Sequence, residues 1–393
     1  MLLDSFYDGV EIHRADKIIF ARFLKPHLVL STCRAAGGMR RDLEYALNHQ
    51  GCEPTGHLRR HGIRDPLRHR ELVCIPYGLP PESCATMGTA ANMHHAAIRA
   101  ESFRELEVVA VATGGVETNA GRAGDPAGYY ETPEGFEKLS PAEAPAAGTI
   151  NTMLFISQPL TEGALTRTIM TATEAKCAVL QELNVNSRYS DGPATGTGTD
   201  QIIVAAPEPE KEGEHRLTTA GKHSKLGELI GRAVKAAIRD TLGRQNRLTA
   251  AGQGNVKIHL ERFGCDNRQL REGICAHLET EEARILAANY QNLMRDPVTV
   301  AAIAALVCIW DKLKWGLLPI SCRHEILSAQ AALVAAAVGG RYERIADYRE
   351  RLAGPADISD NQAFLALAEQ ALALGFADKW PPGESAAEKG EKI

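Results

Sequence analysis

The nine cysteines of this 393-residue chain include no Cys-x-x-Cys pair, and their number is odd. A disulfide framework and a zinc knuckle are therefore not expected, and a reduced cytoplasmic compartment is. Histidine also lacks metal-ligand spacing: His94 and His95 adjoin, and adjacent residues do not share a helix face, so no metal is expected. The charges come close to balance, 44 Lys and Arg against 49 Asp and Glu. That balance argues against a nucleic-acid or membrane-surface protein. The one basic cluster, "LRRHGIRDPLRHR" (58–70), has no interleaved aromatics for base stacking and reads as a solvated loop. Long apolar runs are missing too. The most apolar stretch, "VTVAAIAALVCIW", meets Asp311 after 13 residues, too short to cross a bilayer. Asp4, Asp8 and Glu11 stand where a signal peptide would be apolar. A soluble protein with no membrane insertion and no nucleic-acid partner is the expectation. Signature catalytic motifs are absent as well: no Gly-Lys-Ser/Thr phosphate loop, no His-Glu-x-x-His and no recognisable Ser-His-Asp spacing.

What is present divides into two textures. Only nine of the 35 glycines lie after residue 255. Before that point, short β-branched runs alternate with helical patterns, predicting strands at 17–23, 27–33, 106–113, 149–157 and 201–206. Helices are predicted near 40–48, 83–100, 161–183 and 224–243. This reads as an α/β (or α+β) layered N-terminal domain over residues 1–250. Residues 256–380 are Ala- and Leu-rich at helical spacing and predict a second, all-α C-terminal domain, a candidate surface for a protein partner or self-association. The polar segment 381–393 is expected to be disordered, and "PEPEKEGEHR" (207–216) to be a solvated loop.

The segment "SRYSDGPATGTGTDQIIVAA" concentrates candidate chemistry. Its glycines permit close backbone approach, and Thr195, Thr197, Thr199 and Asp200 offer hydroxyls and a carboxylate to a polar ligand. Its plainer reading is a turn before a buried strand. Upstream, Leu165, Ile169, Ala172, Leu180 and Leu183 form an apolar helical stripe on which Lys176 falls. A buried ammonium needs a carboxylate or a ligand, unless it snorkels from the edge of the stripe. Glu174, on a neighbouring face, is a candidate acid or base. Ser224 is placed to cap the helix beginning at Lys225, where free amides beside His223, Ser224 and Lys225 can also hold an oxyanion. Thr113, Gly115 and Asn119 follow a strand, and Thr149 and Asn151 enter one. Both placements suit either ligand contact or turn chemistry.

Taken in order, "GTINTMLFISQPLTEGALTRTIMTATEAKCAVLQEL", "SRYSDGPATGTGTDQIIVAA" and "GKHSKLGELIGRAVKAAI" resemble the adenosylcobinamide amidohydrolase family. The likeness covers about residues 27–243 and leaves the N-terminal edge and the helical region outside. It implies hydrolysis of the amide joining aminopropanol to the corrin ring, giving adenosylcobyric acid and 1-aminopropan-2-ol. The corrinoid is then a substrate, not a cofactor, and no Asp-x-His-x-x-Gly signature of cobalamin-holding enzymes occurs. Amide hydrolysis needs an activated nucleophile, a stabilised oxyanion and a proton for the leaving amine. Asp200 or Glu174 suits the first role, Ser224 and the nearby amides the second, and Lys176 or His223 the third. Thr113, Gly115, Asn119, Thr149, Asn151, Thr195, Thr197, Thr199 and Lys225 are the expected substrate contacts. A non-catalytic corrinoid- or tetrapyrrole-binding protein, and an amidase of another substrate, remain as alternatives. Gly148–Thr149, Gly196–Thr197 and Gly198–Thr199 also offer the dipeptide of self-cleaving hydrolases, but an intact active chain is expected.

Overall fold

A computed structural model describes residues 1–35, 37–51, 65–139, 148–354 and 358–379. The chain divides into two compact units, Met1–Thr249 and Ala250–Ile393. The first contains two main sheets. One is ordered β1-β2-β3-β6-β7, from β1 (Leu2–Phe6), β2 (Val10–Ala15), β3 (Ile18–Phe23), β6 (Tyr45–Gln50) and β7 (Cys84–Thr89). The other is ordered β5-β4-β15-β13-β9-β8, from β4 (His27–Ser31), β5 (Gly38–Arg40), β8 (Ala97–Phe103), β9 (Leu106–Gly114), β13 (Ile150–Ile156) and β15 (Gln201–Pro207). Pairing is antiparallel except for β6–β7 and β13–β15. Two short ribbons complete the unit: β10 (Ala120–Gly121) with β14 (Gly196–Thr197), and β11 (Tyr129–Thr132) with β12 (Gly135–Lys138).

The period-two alternation of these strands builds the layers. Val109, Val111, Met153, Phe155, Ile203 and Ala205 of the second sheet meet Ile19, Ala21, Ala46, Ala85 and Met87 of the first in one apolar core. The intervening residues Val108, Ala110, Leu154 and Val204 face α2 (Glu162–Glu182) and α3 (Lys225–Asn246) instead. On the outer side of the first sheet, Val73 and Cys74 of α1 (Pro66–Cys74) pack on Ile18 and Leu47. The result is four layers, helix–sheet–sheet–helix. Thr161 caps α2 by accepting from the Ala164 amide, and Ser224 caps α3 by accepting from Gly227 at 3.1 Å, as its position in the sequence predicts. Leu226, Leu229, Ile230, Ala233, Val234, Ala237 and Ile238 form the buried stripe of α3.

Two sequence expectations need correction. Residues 40–48 and 83–100 are not helices: they hold β5, β6, β7, a short 3₁₀ turn at Met93–His95, and β8. The Ala, Leu and Met residues that suggest helix locally instead alternate between the two apolar cores. Ala46 and Met87 point toward the second sheet, while Leu47 and Cys84 point toward α1. Tertiary packing overrides weak local propensity here. The segment 207–216 is irregular and exposed for most of its length, as expected. The basic cluster lies outside the described residues up to position 64, and beyond that it enters α1.

The second unit is helical throughout its described part: α4 (Ala250–Gln253), α5 (Val256–Leu260), α6 (Asn267–Cys275), α7 (Thr280–Arg295), α8 (Pro297–Lys314), α9 (Arg323–Gly339), α10 (Ile345–Leu352) and α11 (Asn361–Lys379). One apolar cluster, which includes Leu270, Leu286, Trp310, Ala335, Tyr348 and Phe364, holds it together. No single helix among the described residues is long and apolar enough to cross a membrane.

Candidate active site

The two facing sheets stay apolar along most of their shared core and turn polar at one end. The inward positions there are Asn48 on β6, Thr113 next to the end of β9, Asn151 next to the start of β13 and Gln201 opening β15. Asn48 Nδ2 donates to Thr113 Oγ1 at 2.6 Å, and Asn151 Nδ2 donates to Asn48 Oδ1 and to the Gly88 carbonyl, each at 2.9 Å. The Gly88 amide donates to Gln201 Oε1 at 3.4 Å. Asn48, Thr113 and Asn151 are all buried, so these bonds offset their desolvation and tie the sheets together.

The Gly-Thr segment crosses this end between α2 and β15. Its organising group is the Asp200 carboxylate. Oδ1 accepts from the Ile150 amide at 2.8 Å and from Thr197 Oγ1 at 2.6 Å, while Oδ2 accepts from the Thr197 amide at 3.0 Å and from Lys176 Nζ. The lysine on the apolar stripe of α2 thus meets a carboxylate, and both members of the pair are largely buried. Gly196 is required by this approach. A Cβ there would stand 2.5 Å from Asp200 Oδ2 and 2.9 Å from Lys176 Nζ. Beside the pair, burial pushes the Cys177 thiol up, and its Sγ lies 3.1 Å from the Thr195 carbonyl.

The remaining threonines knit the segment to the entry of β13. Thr149 Oγ1 donates to the Thr199 carbonyl at 2.7 Å, and Thr199 Oγ1 donates to the Gly148 carbonyl at 3.0 Å. Asn119 Nδ2 donates to the same Gly148 carbonyl at 2.7 Å, while its Oδ1 accepts from Tyr189 OH at 2.6 Å. Thr195 Oγ1 accepts from the Ala123 amide at 2.9 Å. Asp125 accepts from Ser187 Oγ at 2.6 Å and from the Arg122 amide at 2.7 Å. Partial burial raises the Asp125 carboxyl, but these hydrogen bonds outweigh it and hold the group below its ordinary range.

Lys176, Asp200, Thr197, Thr199, Thr149, Asn151, Asn119, Thr113 and Thr195 therefore belong to one hydrogen-bonded region, and Gly115 joins it by donating to the Thr149 carbonyl at 3.0 Å. The other sequence candidates are engaged elsewhere. Glu174 is exposed and accepts from Lys222 at 2.5 Å. Ser224 caps α3 and donates to the Gly221 carbonyl at 2.8 Å, with His223 exposed beside it. Lys225 lies 4.8 Å over the Phe103 ring, and Phe103 pairs with Leu106 at the start of β9. Thr113 is seven residues further along that strand, about 24 Å away at strand rise.

Asn48, Gly88, Tyr189 and Gln201 also belong to the region, although they were not singled out from sequence. Asn48 sits inside "YALNHQ", which has no polar–apolar alternation to mark it, and it enters the site because β6 faces the second sheet. Tyr189 and Gln201 lie within the Gly-Thr segment itself.

A family model described as adenosylcobinamide amidohydrolase matches residues 3–250. The match takes in β1 to β3, which the sequence likeness over 27–243 left outside, and it ends where the first compact unit ends. An uncharacterized protein of Methanocaldococcus jannaschii is 34% identical over 241 residues, covering 59% of this chain and 88% of the relative.

Proposed function

The chain belongs to the adenosylcobinamide amidohydrolase family, and from that membership we propose that it hydrolyses the amide joining aminopropanol to the corrin ring of adenosylcobinamide. The products are adenosylcobyric acid and 1-aminopropan-2-ol, and the role is corrinoid salvage or remodelling in the cytoplasm. The corrinoid is the substrate, so the protein brings no cofactor of its own.

The observation that carries this reading is the chain Thr197–Asp200–Lys176 at the polar end of the facing sheets. Thr197 Oγ1 already donates to Asp200 Oδ1, so attack of that oxygen on the amide carbon passes its proton to the carboxylate along an existing bond. The amides of Ile150 and Thr197 fix the carboxylate during the transfer. Lys176 stabilises the carboxylate beforehand, donates a proton to the departing amine as the C–N bond breaks, and takes one back from the protonated Asp200 across their hydrogen bond. Water then cleaves the threonyl ester, releasing the carboxylic acid and restoring the Thr197 hydroxyl. The Thr195 and Thr199 hydroxyls, which are not buried, supply donors and acceptors matched to the amide-bearing rim of a corrin, and buried Thr149, Asn151 and Asn119 hold the segment that carries them.

Full saturation of Asp200 also supports a second reading, a corrinoid-binding protein in which this carboxylate only braces the segment. Incubating the purified full chain with adenosylcobinamide, followed by mass analysis, separates the two. Release of 1-aminopropan-2-ol supports the hydrolase. Tight binding with no mass change supports the binding protein and rejects the hydrolase.

A further inference from the structure

Between its two passes through the site, the chain makes an excursion. It leaves at Gly121, which pairs with Gly196, and it returns at Gly148, whose carbonyl takes hydrogen bonds from Asn119 and Thr199. The outgoing end is stitched down. Arg122 Nη1 donates to the Pro193 carbonyl at 3.0 Å, the Ala123 amide donates to Thr195, and Ser187 holds Asp125. Three residues beyond Asp125 the hairpin of β11 and β12 begins at Gly128, whose carbonyl accepts from the Leu139 amide at 3.0 Å. Three residues span at most about 11 Å, so the base of the hairpin is confined to the neighbourhood of the site.

The hairpin is encoded locally. Thr132-Pro133-Glu134-Gly135 is a tight turn with proline at its second position, and Gly135 takes a φ of +134°. Its composition is unusual for a free ribbon. Tyr129, Tyr130, Phe136 and Leu139 are 40%, 61%, 52% and 55% exposed. A two-stranded ribbon is marginally stable in water, and clustered exposed aromatics mark a contact surface. The register sorts the faces. Tyr129 pairs with Lys138, and Glu131 pairs with Phe136, so Tyr129 and Phe136 are diagonal neighbours on one face. Tyr130 shares the opposite face with its partner Glu137.

We propose that Tyr129 and Phe136, which share their face of the hairpin with Glu131 and Lys138, are the apolar contact of the substrate site and that their rings pack against the methyl-bearing face of the corrin ring. This rests on the function proposed above. The site described between the sheets offers amides, hydroxyls and one ion pair, but little apolar surface. A corrinoid presents both an amide rim and a broad apolar ring, and a pocket for such a ligand combines apolar walls with a few polar anchors. The hairpin supplies the missing element, tethered at the point where the polar anchors lie.

The test measures adenosylcobinamide binding to the full chain by equilibrium dialysis, alongside KM and kcat, for Tyr129→Ala, Phe136→Ala, Tyr129→Phe and Tyr130→Ala. These side chains are exposed, and an unchanged thermal midpoint verifies folding. Loss of an aromatic stacking contact predicts a Kd and KM raised roughly tenfold for each of the first two variants, with kcat unchanged. Tyr129→Phe and Tyr130→Ala should match the wild type. Wild-type Kd and KM in both Tyr129→Ala and Phe136→Ala, with turnover intact, overturn the hairpin contact while the hydrolase reading stands. Weakened binding in Tyr129→Ala and Phe136→Ala, with a wild type that binds but does not cleave, supports the hairpin contact and rejects the hydrolase. A wild-type chain that does not bind adenosylcobinamide overturns both.

Discussion

The two compact units bury polar side chains in different ways. Among the described residues, the buried polar or charged residues of Ala250–Ile393 are Glu282, Thr299 and Ser328, and the side chains of its Arg262–Asp311 ion pair are largely buried as well. Glu282 and Thr299 serve the start of a helix, and Ser328 lies in the second turn of one. Glu282 completes a capping box with Glu279, Thr299 donates to Asp296, and Ser328 bonds the Glu325 carbonyl. In Met1–Thr249 the buried polar set is larger, and much of it (Asn48, Thr113, Asn119, Thr149, Asn151) gathers at one end of the facing sheets. Burying polar groups is costly unless they are paired, and Glu282, Thr299 and Ser328 are each paired within their own helix or helix cap. A concentration of Asn and Thr at a sheet end has no such local need. The contrast sets the polar sheet end of the first unit apart from the second, whose buried polar groups are paired within the helical packing.

The comparison breaks most visibly if the ion pair of the first unit proves dispensable. Lys176→Met removes the ammonium from Asp200 and should lower kcat by about a hundredfold or more, comparable to losing a preorganised electrostatic group. Steady-state kinetics on adenosylcobinamide checks this, and kcat within about threefold of wild type would detach the pair from catalysis.

Acid should separate the units. His27 is fully buried, stacked 4.5 Å from Phe23, and its Nδ1 donates to the Lys25 carbonyl at 2.7 Å while Nε2 lies 3.2 Å from Tyr7 OH. Burial lowers its pKa to about 4, from 6.5 in the unfolded chain. Between those values the unfolded state binds more protons, so this histidine's contribution weakens the first unit as pH falls from 6.5 toward 4. The full effect is roughly 3 kcal/mol. Glu369 in the second unit behaves oppositely. Desolvation pushes its carboxyl up to about 7. The folded state then holds the extra proton, and the contribution strengthens that unit as pH falls from 7 toward 4.5. Hydrogen exchange at pH 7 and pH 5 should show protection falling in the first unit relative to the second. His27→Gln should flatten the first trend and Glu369→Gln the second.

Smaller effects sharpen the boundary of the site. Ser224→Ala should cost about 1 kcal/mol in thermal stability, the value of a helix cap, with kcat unchanged. Glu174→Gln should move neither stability nor kcat beyond about twofold, because its partner Lys222 is exposed. A large kcat loss in either variant would extend the active region toward the start of α3.

Much of this was legible in the sequence, for identifiable reasons. The five expected strands carry β-branched runs that the facing cores require, and α2 and α3 carry uninterrupted apolar stripes with a capping Thr or Ser at the start. The glycines of the Gly-Thr segment announced a close approach, and Gly196 makes one against Asp200 and Lys176. The hidden part was long-range. Asn48 becomes a site residue only because β6 faces the second sheet, and nothing in the local sequence states which strands will face each other. The same limit applies to Glu174 and Asp200. Both are carboxylates in the most family-like segments, and only the fold separates one on the surface from one clamped between Lys176 and Thr197.

The central claim is that Asp200 takes the proton from Thr197 during amide cleavage. Asp200→Asn in the full chain tests it most directly, because the amide keeps the shape of the carboxylate but cannot accept that proton as a base. Product formation from saturating adenosylcobinamide, read by mass spectrometry beside the Kd of the same variant, is the measurement. The account predicts kcat reduced at least about a hundredfold with substrate still bound. A folded Asp200→Asn protein that releases 1-aminopropan-2-ol at the wild-type rate would contradict it.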